Sequence, residues 1–229
     1  MHTIKEKLII FVKAPIPGKV KTRLARHIGM ANAVLIYNAM VNDLKKNLIS
    51  LKQDIIYFLN DLKYRYLLFP DDKTNFHKNK YLVKQQTGND LGEKMINAFL
   101  TIFNEGTDHV LLIGSDIPHI SGDLISHYFL ELAENQAVIG PANDGGYYLI
   151  GFQKDAFFHD IFKQINWSSD KVFSQTIARI KRCNLTYYTG PVYQDLDTFT
   201  DLKEIRDQLQ WEKYLIHLHK AFDKISEYF

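Results

Sequence analysis

Residues 8 to 23 read LIIFVKAPIPGKVKTR, an apolar run that ends abruptly in a basic loop. The first five, Leu8 to Val12, have the length and β-branched or aromatic character of a strand buried on both faces of a parallel sheet. Lys13, Lys19, Lys21 and Arg23 follow within eleven residues, with Pro15 and Pro17 to stiffen the loop and Gly18 to let backbone approach a ligand closely. Ligands of open parallel sheets bind where loops leave the carboxyl ends of strands. A basic loop at that place suits an anionic phosphate chain. It is not a Walker A motif, because Lys13 occupies the place of its first glycine and Lys-Thr does not directly follow Gly18. The competing reading is a solvated basic turn; the prolines and the position after a strand weigh against it.

Outward from this stretch, Ile55 to Leu59, Val110 to Ile113 and Ala137 to Ile139 repeat the short buried-strand pattern. Tyr147 to Ile150 and Leu185 to Tyr188 supply two more strands. Between them, Ala31 to Leu48 and Leu91 to Phe103 have helical spacing, and this alternation argues for a sheet with helices on both faces. Ser121 is placed to cap a helix over Leu124 to Glu131, and Ser168 or Ser169 one over Lys171 to Lys181, with Trp167 as its hydrophobic staple. Two helices are expected at about 199–229, the last with Trp211, Tyr214, Leu215, Leu218, Phe222 and Ile225 on one face. That face packs on the body of the protein, or forms a homodimer contact. No linker interrupts residues 1–229, so a single domain is expected.

Composition limits the function. Hydrophobic residues are 46% and charged residues 24%, within the globular range. With 28 Lys+Arg against 26 Asp+Glu the net charge is only +2, too small a field to gather nucleic acid or an acidic membrane. The lone Cys183 excludes an internal disulfide and suits a reducing compartment. Met1 to Lys7 carries charges and leads into a run too short for a signal peptide. No apolar stretch approaches the ~20 residues of a membrane span. A cytoplasmic protein is the expectation.

The other glycine and acidic motifs also follow strands. Asp116, in Gly-Ser-Asp-Ile-Pro after the Val110 to Ile113 strand, is a carboxylate placed to meet a hard cation, with Asp197 as its natural partner. Magnesium takes one or two protein carboxylates and completes its shell with phosphate and water, so two suffice. Asp144, before Gly145-Gly146, is either the start of a tight turn or a site residue. Asp90, in Gly-Asn-Asp-Leu-Gly, either caps the helix from Leu91 or faces a ligand together with the backbone of its loop. The nine histidines show no metal-binding spacing, and Ser115 lacks the nucleophile-elbow context.

Taken in order, FVKAPIPGKVKTRL, GNDLGEKM, LIGSDIP, GPANDGGYYLIGF and DLDTFTDL resemble a bacterial glycosyltransferase-like family, long a domain of unknown function, within the nucleotide-diphospho-sugar transferase superfamily. Its members are described as transferases associated with radical-SAM and selenodomain proteins, and are similar to phospholactate guanylyltransferase. The resemblance spans residues 8 to about 203. It implies a GT-A fold: a Rossmann-like, three-layer α/β/α sandwich whose mostly parallel sheet has one reversed strand. By this similarity Lys13, Gly18, Lys21, Thr22 and Arg23 form the phosphate-binding loop, Asp116 and Asp197 hold Mg2+ (or Mn2+), Asp90 and Gly92 lie near the base, and Asp144, Gly145 and Gly146 face the acceptor. Asp116, Lys21 and Asp144 are the implied catalytic residues. Ile16, Lys94 and Phe199 depart from the family, where a basic residue, arginine and proline are common.

The implied activity is a magnesium-dependent transferase, with glycosyl transfer from a nucleotide sugar to a small-molecule acceptor as the leading expectation. Nucleotidyl transfer from a nucleoside triphosphate, with release of pyrophosphate, is the alternative. A non-catalytic nucleotide-binding module comes third, because a pure binder has no use for two carboxylates beside the phosphates it holds.

Overall fold

The expected strands join in one sheet. In the computed structural model, which describes residues 3–70, 82–209 and 215–229, a seven-stranded sheet is built from β1 (Glu6–Val12), β2 (Asp54–Leu59), β3 (Leu82–Gln85), β4 (His109–Ile113), β5 (Ala137–Pro141), β6 (Tyr147–Gln153) and β7 (Tyr187–Thr189). Their order is β3-β2-β1-β4-β6-β5-β7. Neighbours run parallel except at β6, which is antiparallel to both β4 and β5. The sheet is mostly parallel with one reversed strand, as the resemblance implied. β3 was not foreseen: it is an edge strand with only partly buried side chains, so it lacks the apolar run that marks the others.

Alternation along the strands divides the core. Leu8, Ile10 and Val12 of β1 face one side with Tyr57, Leu59, Leu111 and Ile113; Ile9 and Phe11 face the other with Ile56, Phe58, Val110 and Leu112. Both faces are covered, which is why these strands read as continuous apolar runs. The first face is covered by α1 (Thr22–Asn47) and α4 (Gly122–Glu134), and the second by α3 (Leu91–Asn104) and α5 (Val172–Arg182). A single helical turn, α2 (Arg65–Leu68), follows β2. Helix α1 starts at Thr22, ahead of the expected Ala31, and is kinked at Gly29, where φ is 79°.

Caps explain some helix starts and correct one. Ser121 Oγ accepts from the Leu124 amide at 3.2 Å, as expected. Neither Ser168 nor Ser169 caps α5: Lys171 holds the N-cap position without a side-chain cap bond. Ser168 is in a left-handed conformation at φ 67°, and Ser169 Oγ bonds Asn166 O and Lys171 N within its own turn. Trp167 is therefore not a staple beside a cap.

The chain ends in α6 (Phe199–Leu209) and α7 (Ile216–Lys224). Leu215, Leu218, Phe222 and Ile225 are buried against Leu24, Ile28, Ile36 and Met40 of α1 and against Leu196, Leu202 and Ile205. Trp211 and Tyr214 of the expected stripe lie outside the described residues. Fully buried Asp43 anchors the start of α7, its carboxylate accepting the His217 and Leu218 amides at 2.8 Å each. Among the described residues no helix is long and apolar enough to cross a membrane.

Candidate active site

The carboxyl ends of β1 and β4 lie side by side, and the sheet is continued by β2 on one flank and β6 on the other. Such a switch point opens a crevice between diverging connections. Buried Tyr37 of α1 ties the two ends together: its hydroxyl accepts from the Lys13 amide at 2.7 Å and shares a 3.1 Å bond with Ser115 Oγ. Burial, then the charge of Asp116, pushes the Tyr37 phenol up to about 12, so it serves as a neutral bridge. Asn60 accepts the Ala14 amide at 2.6 Å, and Gln86 donates to the Phe58 and Val12 carbonyls at 2.7 and 3.2 Å. The loop mouth is thus rigidly held.

Lys21 lies at the centre. It sits at the N-cap of α1 in a left-handed conformation, φ 47° and ψ 45°, a backbone state that costs a lysine roughly 1–2 kcal/mol. Its Nζ donates to Asp116 Oδ1 at 2.5 Å and to Asp197 Oδ1 at 3.0 Å. The ammonium side chain is 2% exposed, whereas the two carboxylates are 41% and 39% exposed and look outward. Burial alone would depress the Lys21 pKa; the charges of Asp116 and Asp197 outweigh it and push the group up to about 12. Burial would likewise raise Asp116, but Lys21 and Lys13 hold its carboxyl below the ordinary range.

Backbone places the acidic pair. The Leu196 amide donates to the Asp116 carbonyl at 3.0 Å, which brings Asp195-Leu-Asp197 beside the end of β4. Asp201 then accepts the Asp197 and Thr198 amides at 3.0 and 2.6 Å while its own amide donates to Thr198 Oγ1, a reciprocal capping arrangement at the start of α6. Phe199 stacks between His27 and Phe229, at centroid distances of 5.4 and 5.8 Å, and fastens the same corner to α1.

Two adjoining clefts open over this pair. One, of about 390 Å³, is lined by Arg23, Asp144, Asp170, Asp195 and Trp167 among others; the second, of about 290 Å³, runs over Phe11, Met95, Lys13, Gln86 and Lys94. Asp116, Gly114, Leu91, Tyr147 and Tyr148 border both. Lys13, Gln86 and Lys94 also border a groove shared with Lys19 and Lys63. The first cleft is therefore acidic with an aromatic wall, while the far end of the second is cationic.

Of the residues singled out from sequence, Lys13, Lys21, Arg23, Asp116, Asp144, Gly146 and Asp197 meet around these clefts. Gly18, at φ 76°, and exposed Thr22 shape the loop without lining either cleft. Asp90 is the cap of α3: its Oδ1 accepts the Glu93 amide at 2.8 Å, while Glu93 accepts the Asn89 amide in return. Gly92 is buried against Trp167, so near that a β-carbon would stand 2.8 Å from the indole ring, which lines the first cleft. Asp144 starts the tight turn, its Oδ1 accepting the Gly146 amide at 2.8 Å, and it also lines the first cleft. Gly145 has φ 84°, and a β-carbon there would lie 2.2 Å from the Asp170 carbonyl oxygen. Ile16 packs against the core, and Lys94 borders the second cleft.

Asp195, Asp170 and Trp167 were not anticipated as cleft residues. Burial, then Asp144 and Asp197, pushes Asp195 up to about 6. Its spacing of two from Asp197 could have signalled it, because alternate residues of extended chain share a side. Asp170 and Trp167 carried no such signal. Among the described residues no group of three or more His, Cys, Asp or Glu side chains is arranged to hold a metal.

Comparison with known proteins places this geometry in context. The family model of uncharacterized proteins conserved in bacteria, DUF2064, matches residues 65–169. A crystal structure from Desulfovibrio desulfuricans, presented as a candidate nucleotide-diphospho-sugar transferase, is 33% identical over 99% of both chains, with a TM-score of 0.86. A cytidylyltransferase from Leptospira borgpetersenii covers 99% of this chain and 97% of its own at 13% identity, with a TM-score of 0.54. A 4-diphosphocytidyl-2C-methyl-D-erythritol synthase from Anaerococcus prevotii covers 90% and 96% at 12% identity, with a TM-score of 0.59. These last two share the fold. No curated protein matches the chain.

Proposed function

Because this chain belongs to the bacterial DUF2064 family and is close kin to the Desulfovibrio protein, we propose that it is a nucleotide-utilising transferase that moves a glycosyl group from a nucleotide-diphospho-sugar to a small acceptor. The observation that carries this reading is the convergence of Asp116 and Asp197 on a single cationic point at the β1/β4 switch point. Two outward-facing oxygen donors suit a hard divalent ion that completes its shell with phosphate and water. Asp116 and Asp197 would hold magnesium, whose charge there offsets that building on the departing diphosphate.

The protein's own groups divide the remaining work. Lys13 on the first loop and Arg23 in the first turn of α1, both exposed, bind the diphosphate, and Lys21 adds a third cation. The apolar floor of the second cleft, with Phe11, Leu112 and Met95, takes the base. Trp167 offers a stacking face to the sugar, and the carboxylates of Asp144 and Asp195 accept bonds from its hydroxyls. An acceptor hydroxyl then attacks the anomeric carbon. The bond from that carbon to the diphosphate oxygen breaks, the nucleoside diphosphate leaves, and the hydroxyl proton passes to Asp144.

A second reading, nucleotidyl transfer, is favoured by one observation: the second cleft runs into a groove bordered by Lys13, Lys19, Lys63 and Lys94, room and charge for a pyrophosphate leaving group. The cytidylyltransferase that shares the fold lends it support. Incubation with panels of nucleotide sugars and of nucleoside triphosphates, in magnesium and a pool of small metabolites, tests both. Release of nucleoside diphosphate from a nucleotide sugar is expected. Pyrophosphate release from a triphosphate alone would replace the first reading with the second.

A further inference from the structure

Lys21 stands where a cation shared by Asp116 and Asp197 would stand. Its ammonium is hydrogen-bonded to one oxygen of each, and almost none of its side chain is exposed. The backbone beneath it is left-handed, a conformation unfavourable for a lysine that persists where surrounding contacts over-determine it. The ammonium at the far end of this side chain is held by both carboxylates.

We infer that Lys21 is a built-in stand-in for the metal: ammonium and divalent ion compete for the same two carboxylates, and the metal enters together with a nucleotide whose phosphates draw Lys21 aside. The inference rests on the transferase reading above. Two carboxylates carry two negative charges, and Lys21 already neutralises one of them. A divalent ion added beside it would bring three positive charges to the same pair of carboxylates, with the two cations repelling each other across a half-buried space. A diphosphate changes the balance, because its oxygens give Lys21 another partner and the metal further ligands. Lys21 thereby offsets half the charge of two clustered carboxylates while the site waits, and withholds the metal site until phosphate arrives.

The exchange is tested with Mn2+ alone, without nucleotide, by following free Mn2+ in its paramagnetic resonance signal. Wild-type protein, Lys21→Met and Lys21→Arg are titrated, each checked for native circular dichroism. Lys21→Gln is titrated in place of the methionine variant should that one fail to fold. The expected result is at least tenfold tighter binding of one Mn2+ to Lys21→Met than to wild type, wild-type weakness in Lys21→Arg, and loss of the gain when Asp116→Asn is added. Wild-type protein binding Mn2+ as tightly as Lys21→Met would overturn the exchange and leave the transferase reading intact. Equally weak binding to both would overturn it too; the transferase reading would then stand or fall separately, on the magnesium dependence of nucleotide binding.

Discussion

The Leu196 amide donates to the Asp116 carbonyl at 3.0 Å, and this backbone bond joins the end of β4 to the chain entering α6. The carboxylates of Asp116 and Asp197 are therefore brought together by main chain, not by their own charge. Side-chain changes at either position should leave this backbone bond in place, while removing one of the two partners of the buried Lys21 ammonium.

Lys13 tests the basic loop. Its amide is fixed by Tyr37 while its side chain is exposed beside the second cleft. Lys13→Ala should weaken binding of a nucleoside diphosphate by about tenfold, the loss of a charge-assisted contact of 1–2 kcal/mol, and leave binding of the bare nucleoside unchanged. Calorimetry with both ligands checks this, and equal losses would place Lys13 outside the phosphate site.

Asp195 gives a pH signature in metal-free protein. Burial, Asp144 and Asp197 raise its pKa to about 6 in the folded state, above the ordinary aspartate value. A raised carboxyl means that the folded protein binds the proton more tightly than the unfolded chain, so its contribution to stability falls as pH rises from about 4 to about 6. Asp195→Asn should raise the melting temperature at pH 7.5 in chelator, and the gain should fade at pH 5. A gain that is the same at both pH values would contradict the origin of the shift.

Gly145 tests the turn that presents Asp144. With φ at 84° and the Asp170 carbonyl 2.2 Å from any β-carbon, Gly145→Ala forces the turn away from the residues before α5. A destabilisation of about 1–3 kcal/mol is expected in denaturant unfolding. A variant as stable as wild type would show that this contact yields freely.

Asp43 tests the C-terminal helices. Asp43→Ala leaves the His217 and Leu218 amides without their acceptor and should cost about 1–3 kcal/mol. Faster proteolysis within residues 199–229 than in wild type is the expected readout.

These expectations differ in how far the sequence alone supported them. Leu8 to Val12, Ile55 to Leu59 and Val110 to Ile113 announced themselves because both faces of each strand are buried. β3 did not, because an edge strand carrying Lys84 and Gln85 needs no apolar run. The acidic pair was legible from its place after strands. That Lys21 folds inward onto that pair, while Lys13 and Lys19 stay exposed, was not legible, since spacing along a basic loop does not say which cation faces the carboxylates. The capping serines of α5 were misread because Gln164 and Ser168, both left-handed, turn the chain before the helix begins. Asp170 and Trp167 reach the cleft only through that turn and through their packing on Gly145 and Gly92.

On the proposed function, Asp116 and Asp197 grip a divalent ion on a nucleotide diphosphate. Calorimetric titration of the protein with UDP, GDP, CDP and ADP, each in magnesium and in chelator, tests it most directly. At least one nucleotide should bind tenfold or more tightly in magnesium, and Asp116→Asn should erase that difference while the protein keeps its native circular dichroism. Equal affinity with metal and with chelator would contradict it.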